Sequence, residues 1–160
     1  MAIYMKFNDD SIKGNVTAEG HTDWIEINSV QFGVGRGIGS PTGRAANRES
    51  SEPSISEVVV TKVGDRTSPL FFQEACVGEP KSITIDFVKT DKGTLQTYFS
   101  VVLTNVLISG WSASSGGDNP TESISLNFTK IELKYIPSGG DAADAEPIPA
   151  GYDLALGKSV

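Results

Sequence analysis

Residues 122–135 read Glu122-Ser123-Ile124-Ser125-Leu126-Asn127-Phe128-Thr129-Lys130-Ile131-Glu132-Leu133-Lys134-Tyr135, and the phase of their apolar residues decides the fold. Ile124, Leu126 and Phe128 fall on even positions, whereas Ile131, Leu133 and Tyr135 fall on odd ones. A strand buries every second side chain, so its buried set cannot change parity without an extra residue. The stretch therefore predicts a strand interrupted by a bulge near Thr129-Lys130. Trp24–Val34 behaves in the same way, with Ile25 and Ile27 odd but Val30, Phe32 and Val34 even. A second bulge or sharp bend belongs near Asn28-Ser29. Two long strands that both change face indicate a small, strongly curved barrel or an orthogonal sandwich.

Further strand signals surround these two. Ile3, Met5 and Phe7 alternate with Tyr4 and Lys6, a polar turn follows at Asn8–Ser11, and a short strand is expected around Ile12–Thr17. In Ile55–Val63, the consecutive Val58, Val59 and Val60 predict a strand covered on both faces. Ile83, Ile85 and Phe87 alternate cleanly, Asp91-Lys92-Gly93 makes a hairpin turn, and Leu95–Ile108 is a long strand or a strand pair. A Ser/Gly-rich turn spans Ser112–Pro120.

One helix is predicted, over about 68–77. Thr67 or Ser68 can cap it, Pro69 suits its first position and Gly78 its exit. Phe71 and Ala75 lie one turn apart, as do Phe72 and Cys76, so the helix is apolar around much of its girth. It should plug a core or an open barrel end, with Cys76 a buried and inert thiol.

Two segments fall outside the barrel pattern. Residues 35–53 lose all apolar alternation and carry Gly35, Gly37, Gly39, Pro41 and Gly43, then Arg44, Asn47, Arg48, Glu49 and Glu52. This is an extended loop, longer than compact domains usually tolerate without a function, and either a binding element or a disordered excursion. From Pro137 the chain becomes a flexible acidic tail, with Ser138-Gly139-Gly140 as linker and Asp141, Asp144 and Glu146 beyond. It ends in Gly151-Tyr152-Asp153-Leu154-Ala155-Leu156, which regains apolar alternation. The expected organisation is a barrel domain at 1–136 and a tail at 137–160 whose segment 151–156 docks through Tyr152, Leu154 and Leu156.

Composition narrows the function classes. The chain has 160 residues, with 13 Lys+Arg against 20 Asp+Glu and a net charge of −7. That length fits one domain, and the acidity argues against a general nucleic-acid binder. No apolar run approaches the ~20 residues of a membrane span. The start, MAIYMKFNDD, lacks the basic stretch and apolar core of a secretory signal, so none is expected. A single cysteine, Cys76, leaves no internal disulfide and fits synthesis in a reducing compartment. A single histidine, His21, excludes chemistry built on several.

Catalytic and cofactor motifs are sought without success. Gly33-Val34-Gly35-Arg36-Gly37-Ile38-Gly39 has neither the dinucleotide spacing nor the Gly-Lys-Ser/Thr of a P-loop, and no helical pattern follows it. It reads as a backbone hinge. Only His21 could serve as the base of a serine nucleophile, and Gly110-Trp111-Ser112-Ala113-Ser114 lacks the second glycine of a nucleophile elbow. In its setting, Glu19–Trp24, His21 reads as a satisfied surface or turn residue. One Cys and one His do not make a zinc site, and Asn8-Asp9-Asp10 lacks the ligands of a calcium loop. Glu26, Glu57, Asp86 and Glu122 lie in or beside strands and read as a solvated or lumen-facing surface. The sequons at Asn15 and Asn127 fall inside strand patterns and are discounted. No catalytic, cofactor or metal residue is assigned.

The residues do resemble one family. Met5-Lys6-Phe7 with Ile12-Lys13-Gly14, then His21-Thr22-Asp23-Trp24-Ile25, Phe32-Gly33-Val34, Glu57–Lys62, Asp65–Pro69, Asn105–Ser109 and Glu122–Phe128 follow in the order seen in the haemolysin-coregulated protein (Hcp) family. That family supplies the tube subunit of bacterial type VI secretion systems. Gly151-Tyr152-Asp153-Leu154 is similar to its terminal Gly-aromatic-Asp pattern. The resemblance implies a mainly β fold: a two-sheet β-barrel with one short flanking α-helix and a long extended loop. It also implies a homohexameric ring and stacked rings that form a tube inside a contractile sheath. The tube is expelled with a spike protein, and small effectors ride in the lumen. Such a subunit would be a non-enzymatic structural protein, held in the bacterial cytoplasm during assembly and then secreted without a cleavable signal. Residues expected at the subunit or ring-stacking interface are Arg36, Arg44, Arg48, Glu49 and Glu52. The competing readings are a phage-type tail-tube subunit, a secreted hydrolase or effector using His21, and a monomeric binding module.

Overall fold

Each parity change in the sequence is a corner where the chain leaves one sheet for another. The computed structural model describes residues 1–43, 48, 50–137 and 146–160. Strand β1 is Ala2–Phe7, β2 Ile25–Ile27, β3 Ser29–Gln31, β4 Val34–Gly35, β5 Ser54–Ile55 and β6 Val58–Val63. Helix α1 is Ser68–Val77, and then come β7 Lys81–Asp91, β8 Thr94–Ser114, β9 Thr121–Asn127, β10 Lys130–Tyr135, β11 Ile148–Asp153 and β12 Lys158–Ser159.

At Asn28 the chain turns from β2, where Ile25 lies opposite Met5 of β1, into β3, where Val30 lies opposite Val60 of β6. The Asn28 N–H donates to the Thr61 carbonyl at 2.7 Å and secures the corner. At Phe128-Thr129 the chain likewise leaves β9, which lies between β6 and β8, for β10, which lies between β8 and β11. The expected bulges are therefore complete breaks. Strand β8 makes a third corner without a break. Its residues from Phe99 to Thr104 pair with β10, while those from Leu107 to Ser114 pair with β9. Asn105 between them adopts φ 57°, a left-handed turn that asparagine tolerates better than most residues.

The expected mainly β fold of two sheets with one short helix is what the structure shows, and neither sheet closes on itself. Strands run in the order β12-β11-β10-β8-β7-β1-β2, with β9, β6 and β3 branching from β8. The chain at Asn28, with its hydrogen bond to Thr61, links the two ends of the circuit. Inward residues of both halves form one core, including Met5, Ile25, Val58, Val60, Ile83, Ile85, Leu103, Ile124 and Leu126. Burial of each such side chain stabilises by about 1.5–3 kcal/mol.

Several local expectations need correction. Val58 and Val60 are buried but Val59 is only half-buried, so β6 is covered mainly on one face. The segment at Ile12–Thr17 is not a regular strand. It straps the start of β2 through Gly14 N–H to Asp23 O (2.8 Å) and Asp23 N–H to Val16 O (2.9 Å). A Cβ on Gly14 would lie 2.2 Å from the Trp24 carbonyl, so only glycine fits this approach. The strand expected at Leu95–Ile108 is single and continues to Ser114, which shortens the turn after it. Helix α1 buries one residue, Phe71, whose ring meets Phe7 at 5.7 Å and stops one end of the core. Cys76 is exposed because the helix rests on the barrel by a single edge.

That edge is held by charge. Lys62 follows Val58 and Val60 on the core face of β6, and Glu122 precedes Ile124 and Leu126 on the core face of β9. The two lie directly opposite each other, at 0% and 1% exposure. Glu122 is thus a core residue and not the solvated or lumen-facing one expected from its position beside a strand. The Lys62 ammonium donates to Glu122 Oε2 (2.8 Å), Asp65 Oδ1 (2.9 Å) and the Val63 carbonyl (3.0 Å), which uses all three of its protons. Trp111 Nε1 donates to Glu122 Oε1 (2.8 Å), and Ser68 Oγ donates to Oε2 (2.7 Å). Neither Thr67 nor Ser68 caps the helix in the ordinary way. Asp65 instead accepts the Thr67 N–H at 2.8 Å, and its own N–H donates to Ser68 Oγ at 3.0 Å.

Removing one partner of a buried pair strands the other charge. Lys62→Met is expected to cost about 3–5 kcal/mol in urea unfolding at fixed protein concentration. Lys62→Met combined with Glu122→Leu should recover most of that loss; equal losses in the two variants would show that the pair is not the source. Burial raises the pKa of Asp65, but hydrogen bonds from Thr67 and Lys62, with the Lys62 charge, outweigh it and hold the carboxyl below its ordinary value. Its stabilisation is complete above the ordinary aspartate range and is lost as pH falls through the lowered value. Asp65→Asn should flatten the acid limb of a plot of thermal midpoint against pH.

Candidate functional site: arm, tail strand and groove

Beyond the core, the structure is one of surfaces and edges. The first is an arm. Val34 pairs with Ile55 and Gly35 with Ser54, so residues 33–38 and 50–56 run antiparallel. Gly33 N–H donates to Ser56 Oγ (2.8 Å), and Gly37 N–H donates to Ser51 Oγ (2.9 Å). Ser51 N–H returns a bond to the Gly37 carbonyl at 2.8 Å, and Ile38 bridges Ser50. The described part of the expected loop is therefore a two-stranded arm stitched by its serines. Arg36, Arg48 and Glu52 are exposed on it, whereas Arg44 and Glu49 lie outside the described residues.

The second surface is the tail strand. β11 adds to β10 with Ile148 opposite Tyr135 and Tyr152 opposite Ile131, and β12 pairs back onto its last two residues. The segment that lies on the barrel thus begins at Ile148, three residues earlier than expected. Tyr152 is half-buried. Leu154 and Leu156 sit in the turn between β11 and β12 at 38% and 65% exposure. Leu154 N–H donates to the Thr129 carbonyl (2.8 Å) and Leu156 N–H to Asp153 Oδ1 (3.0 Å), so the backbone of these two residues, more than their side chains, fixes the turn. The linker residues Ser138, Gly139 and Gly140, with Asp141 and Asp144, lie outside the described residues.

Between arm and tail lies a groove of about 310 Å³. Phe32, Val34, Pro53 and Ile55 form one wall, and Ile131, Leu133, Ala150 and Tyr152 the other. The parity rule identifies most of these residues as sheet-facing, but nothing local in the sequence places the two walls together.

His21 is not a surface residue. It is 7% exposed, with Nε2 3.0 Å from Asp86 Oδ2 and its ring 4.6 Å from Trp24 and 5.2 Å from Tyr4. Asp86, expected on a solvated or lumen-facing surface, also accepts from Ser100 Oγ at 2.8 Å. The Ser100 hydroxyl is thereby directed at the carboxylate and not at the imidazole, so the nucleophile-to-base contact of a serine relay is not formed here. The cluster ties β1, β7, β8 and the approach to β2 together. Glu57 accepts from Ser109 Oγ (2.7 Å) and Asn127 Nδ2 (3.1 Å), bonds that hold its carboxyl below the usual glutamate value. Glu26 is exposed, as its place in the alternation requires.

An open, corner-linked barrel with an end helix, a stitched arm and an added tail strand defines a protein of interaction surfaces. A family model described as "Type VI secretion system effector, Hcp" matches residues 4–135. The chain belongs to this Hcp family of type VI secretion proteins. It is 23% identical over 158 residues to "Protein hcp1" of Pseudomonas aeruginosa, covering 96% of each chain. It is also 31% identical over 108 residues to the "Major exported protein" of the same organism, over 64% of this chain and 58% of that one. Among solved structures, one described as a type six secretion system protein superposes with TM-score 0.87 at 22% identity, covering 99% of both chains.

Truncation after Ile136 would remove β11 and β12, bare the β10 edge and uncover Ile131 and Leu133. The thermal midpoint is expected to fall by about 5 °C or more. An unchanged midpoint by calorimetry would mean that the tail contributes nothing to the barrel.

Proposed function

We propose that the chain is the tube subunit of a type VI secretion system. Six copies close into a ring, rings stack into a tube within a contractile sheath, and the tube is expelled with a spike protein. Small effectors travel in its lumen. Family membership across residues 4–135 carries this reading, and the physical features fit it. A ring of identical subunits needs two different, complementary patches on one chain. An open barrel with a protruding arm and an apolar groove offers such patches, whereas an enzyme would need converging polar groups. The subunit is accordingly read as non-enzymatic, and the dispositions of His21 and Ser100 count against the hydrolase alternative. The related "Major exported protein" supports export of this chain after assembly in the bacterial cytoplasm.

The arm is assigned to stacking. Its mixed charge suits polar contact between layers, with Arg44 and Arg48 meeting acidic groups of the next ring and with Glu49 and Glu52 alongside, whereas Arg36, nearer the barrel, is read as part of the interface between subunits. Light scattering of the purified protein is expected to give about 102 kDa, six copies of 17.0 kDa, with annular particles in negative stain. A monomer at all concentrations would overturn the ring. Deleting Pro41–Arg48 should leave single rings and abolish tubes; loss of the rings themselves would move the arm from stacking to ring closure.

A further inference from the structure

Helix α1 carries its apolar side outward. A helix packed by one edge normally shows charged residues to solvent. Here the exposed positions are Pro69, Leu70, Phe72, Gln73, Cys76 and Val77, with no charge among them. Leu70 is 39%, Phe72 56% and Val77 73% exposed. The one charged residue of the helix, Glu74, is turned aside to Lys81 at 3.2 Å. On a chain with 33 Asp, Glu, Lys and Arg, an uncharged apolar face of this kind marks a surface that is covered in use.

The groove beside the arm has the matching chemistry. Its walls offer almost no polar group, and a small-molecule site would need a few to orient its ligand. Its natural occupant is an apolar side chain from another protein surface. The margins match in charge as well. Arg36 is exposed two residues beyond the groove-lining Val34, and Glu79 is exposed two residues beyond Val77 of the helix. Helix face and groove share no residue, so a second copy can occupy the groove while leaving its own groove open to a third. Such a head-to-tail contact propagates around a ring.

We infer that α1 of one copy seats in the groove of the next, with Val77 and Phe72 toward Val34, Ile55 and Leu133, Glu79 facing Arg36, and that this contact closes the ring. The inference rests on the ring reading given above and names the surfaces that make it.

The native Cys76, the chain's single cysteine, makes the contact testable. In Val34→Cys protein, a short bis-maleimide should join Cys76 of one copy to residue 34 of the next and yield a covalent ladder ending at six. Wild type and Val34→Cys/Cys76→Ser should yield none. Arg36→Glu and Glu79→Arg should each move ring dissociation to about tenfold higher protein concentration, and the double reversal should restore it. Circular dichroism checks that each variant is folded. Wild-type rings with no ladder and no effect of either reversal would overturn the inference and leave the ring reading standing. Intact rings that no longer stack would overturn it too, because the contact would then lie between layers. A wild-type protein that stays at 17.0 kDa would overturn the ring reading itself.

Discussion

The ion pair between Lys62 and Glu122 governs one whole end of the barrel. Two opposite charges on facing, inward positions of β6 and β9 are costly to bury, and each would be untenable alone. They persist because every proton of the ammonium and both oxygens of the carboxylate find partners. Those partners include Asp65, Ser68 and Trp111, which fix the start of α1 and the strand beneath it. Phe71 reaches the core only because that helix start is fixed, with the Lys62 ammonium 5.8 Å from its ring centre. An apolar pair could stabilise the site as well or better, but it would not specify where the helix begins. The pair therefore contributes position more than stability.

The three corners impose the complementary constraint. Each transfers a strand from one half of the barrel to the other, so the core is enclosed without a closed ladder of hydrogen bonds. Polar backbone is satisfied locally at two of the corners, by Thr61 for Asn28 and by Thr104 for Thr129. The consequence is an edge problem. An open array must protect its outer strand from indiscriminate pairing. Here β11 is half-covered by the two-residue β12, and Pro149 removes a donor from the remainder. The arm, by contrast, is left narrow and protruding.

Much of this was legible in the sequence because periodicity is a local signal. The parity shifts at Asn28 and at Phe128-Thr129 located two corners to within a residue or two, and Pro69 with Gly78 bounded the helix. The third corner was hidden: β8 carries apolar residues on both faces around Asn105, so no shift is visible. What failed was the reading of single polar residues. Lys62 and Glu122 stand in the inward register with Val58, Val60, Ile124 and Leu126, and opposite charges on the buried face of two strands were the available sign of a pair. They could be matched only by knowing that β6 and β9 are neighbours, which is a tertiary fact. His21, expected as a surface or turn residue, does sit between two turns, but its burial was hidden for the same reason, since Asp86 lies 65 residues away. Cys76 was misread in the opposite sense. Apolar neighbours along a helix predict burial only if the helix is surrounded, and this one touches the barrel by an edge.

The sites where the sequence misleads as to burial divide into two kinds with different meaning. Lys62, Glu122 and His21 are polar groups taken inside, each secured by partners on the same chain, so they are explained within one subunit. Leu70, Cys76 and Val77 are apolar groups left outside, along with Val34 at the mouth of the groove, and Phe72 stays 56% exposed although its ring meets Trp111 at 5.6 Å. A chain that satisfies the Lys62–Glu122 pair so completely has a well-specified interior at the end where α1 packs, so poor packing is no explanation for its apolar helix face. Hydrophobic area exposed beside a fully resolved core is better understood as the unfilled half of a contact, and the barrel as a unit whose final burial takes place on assembly.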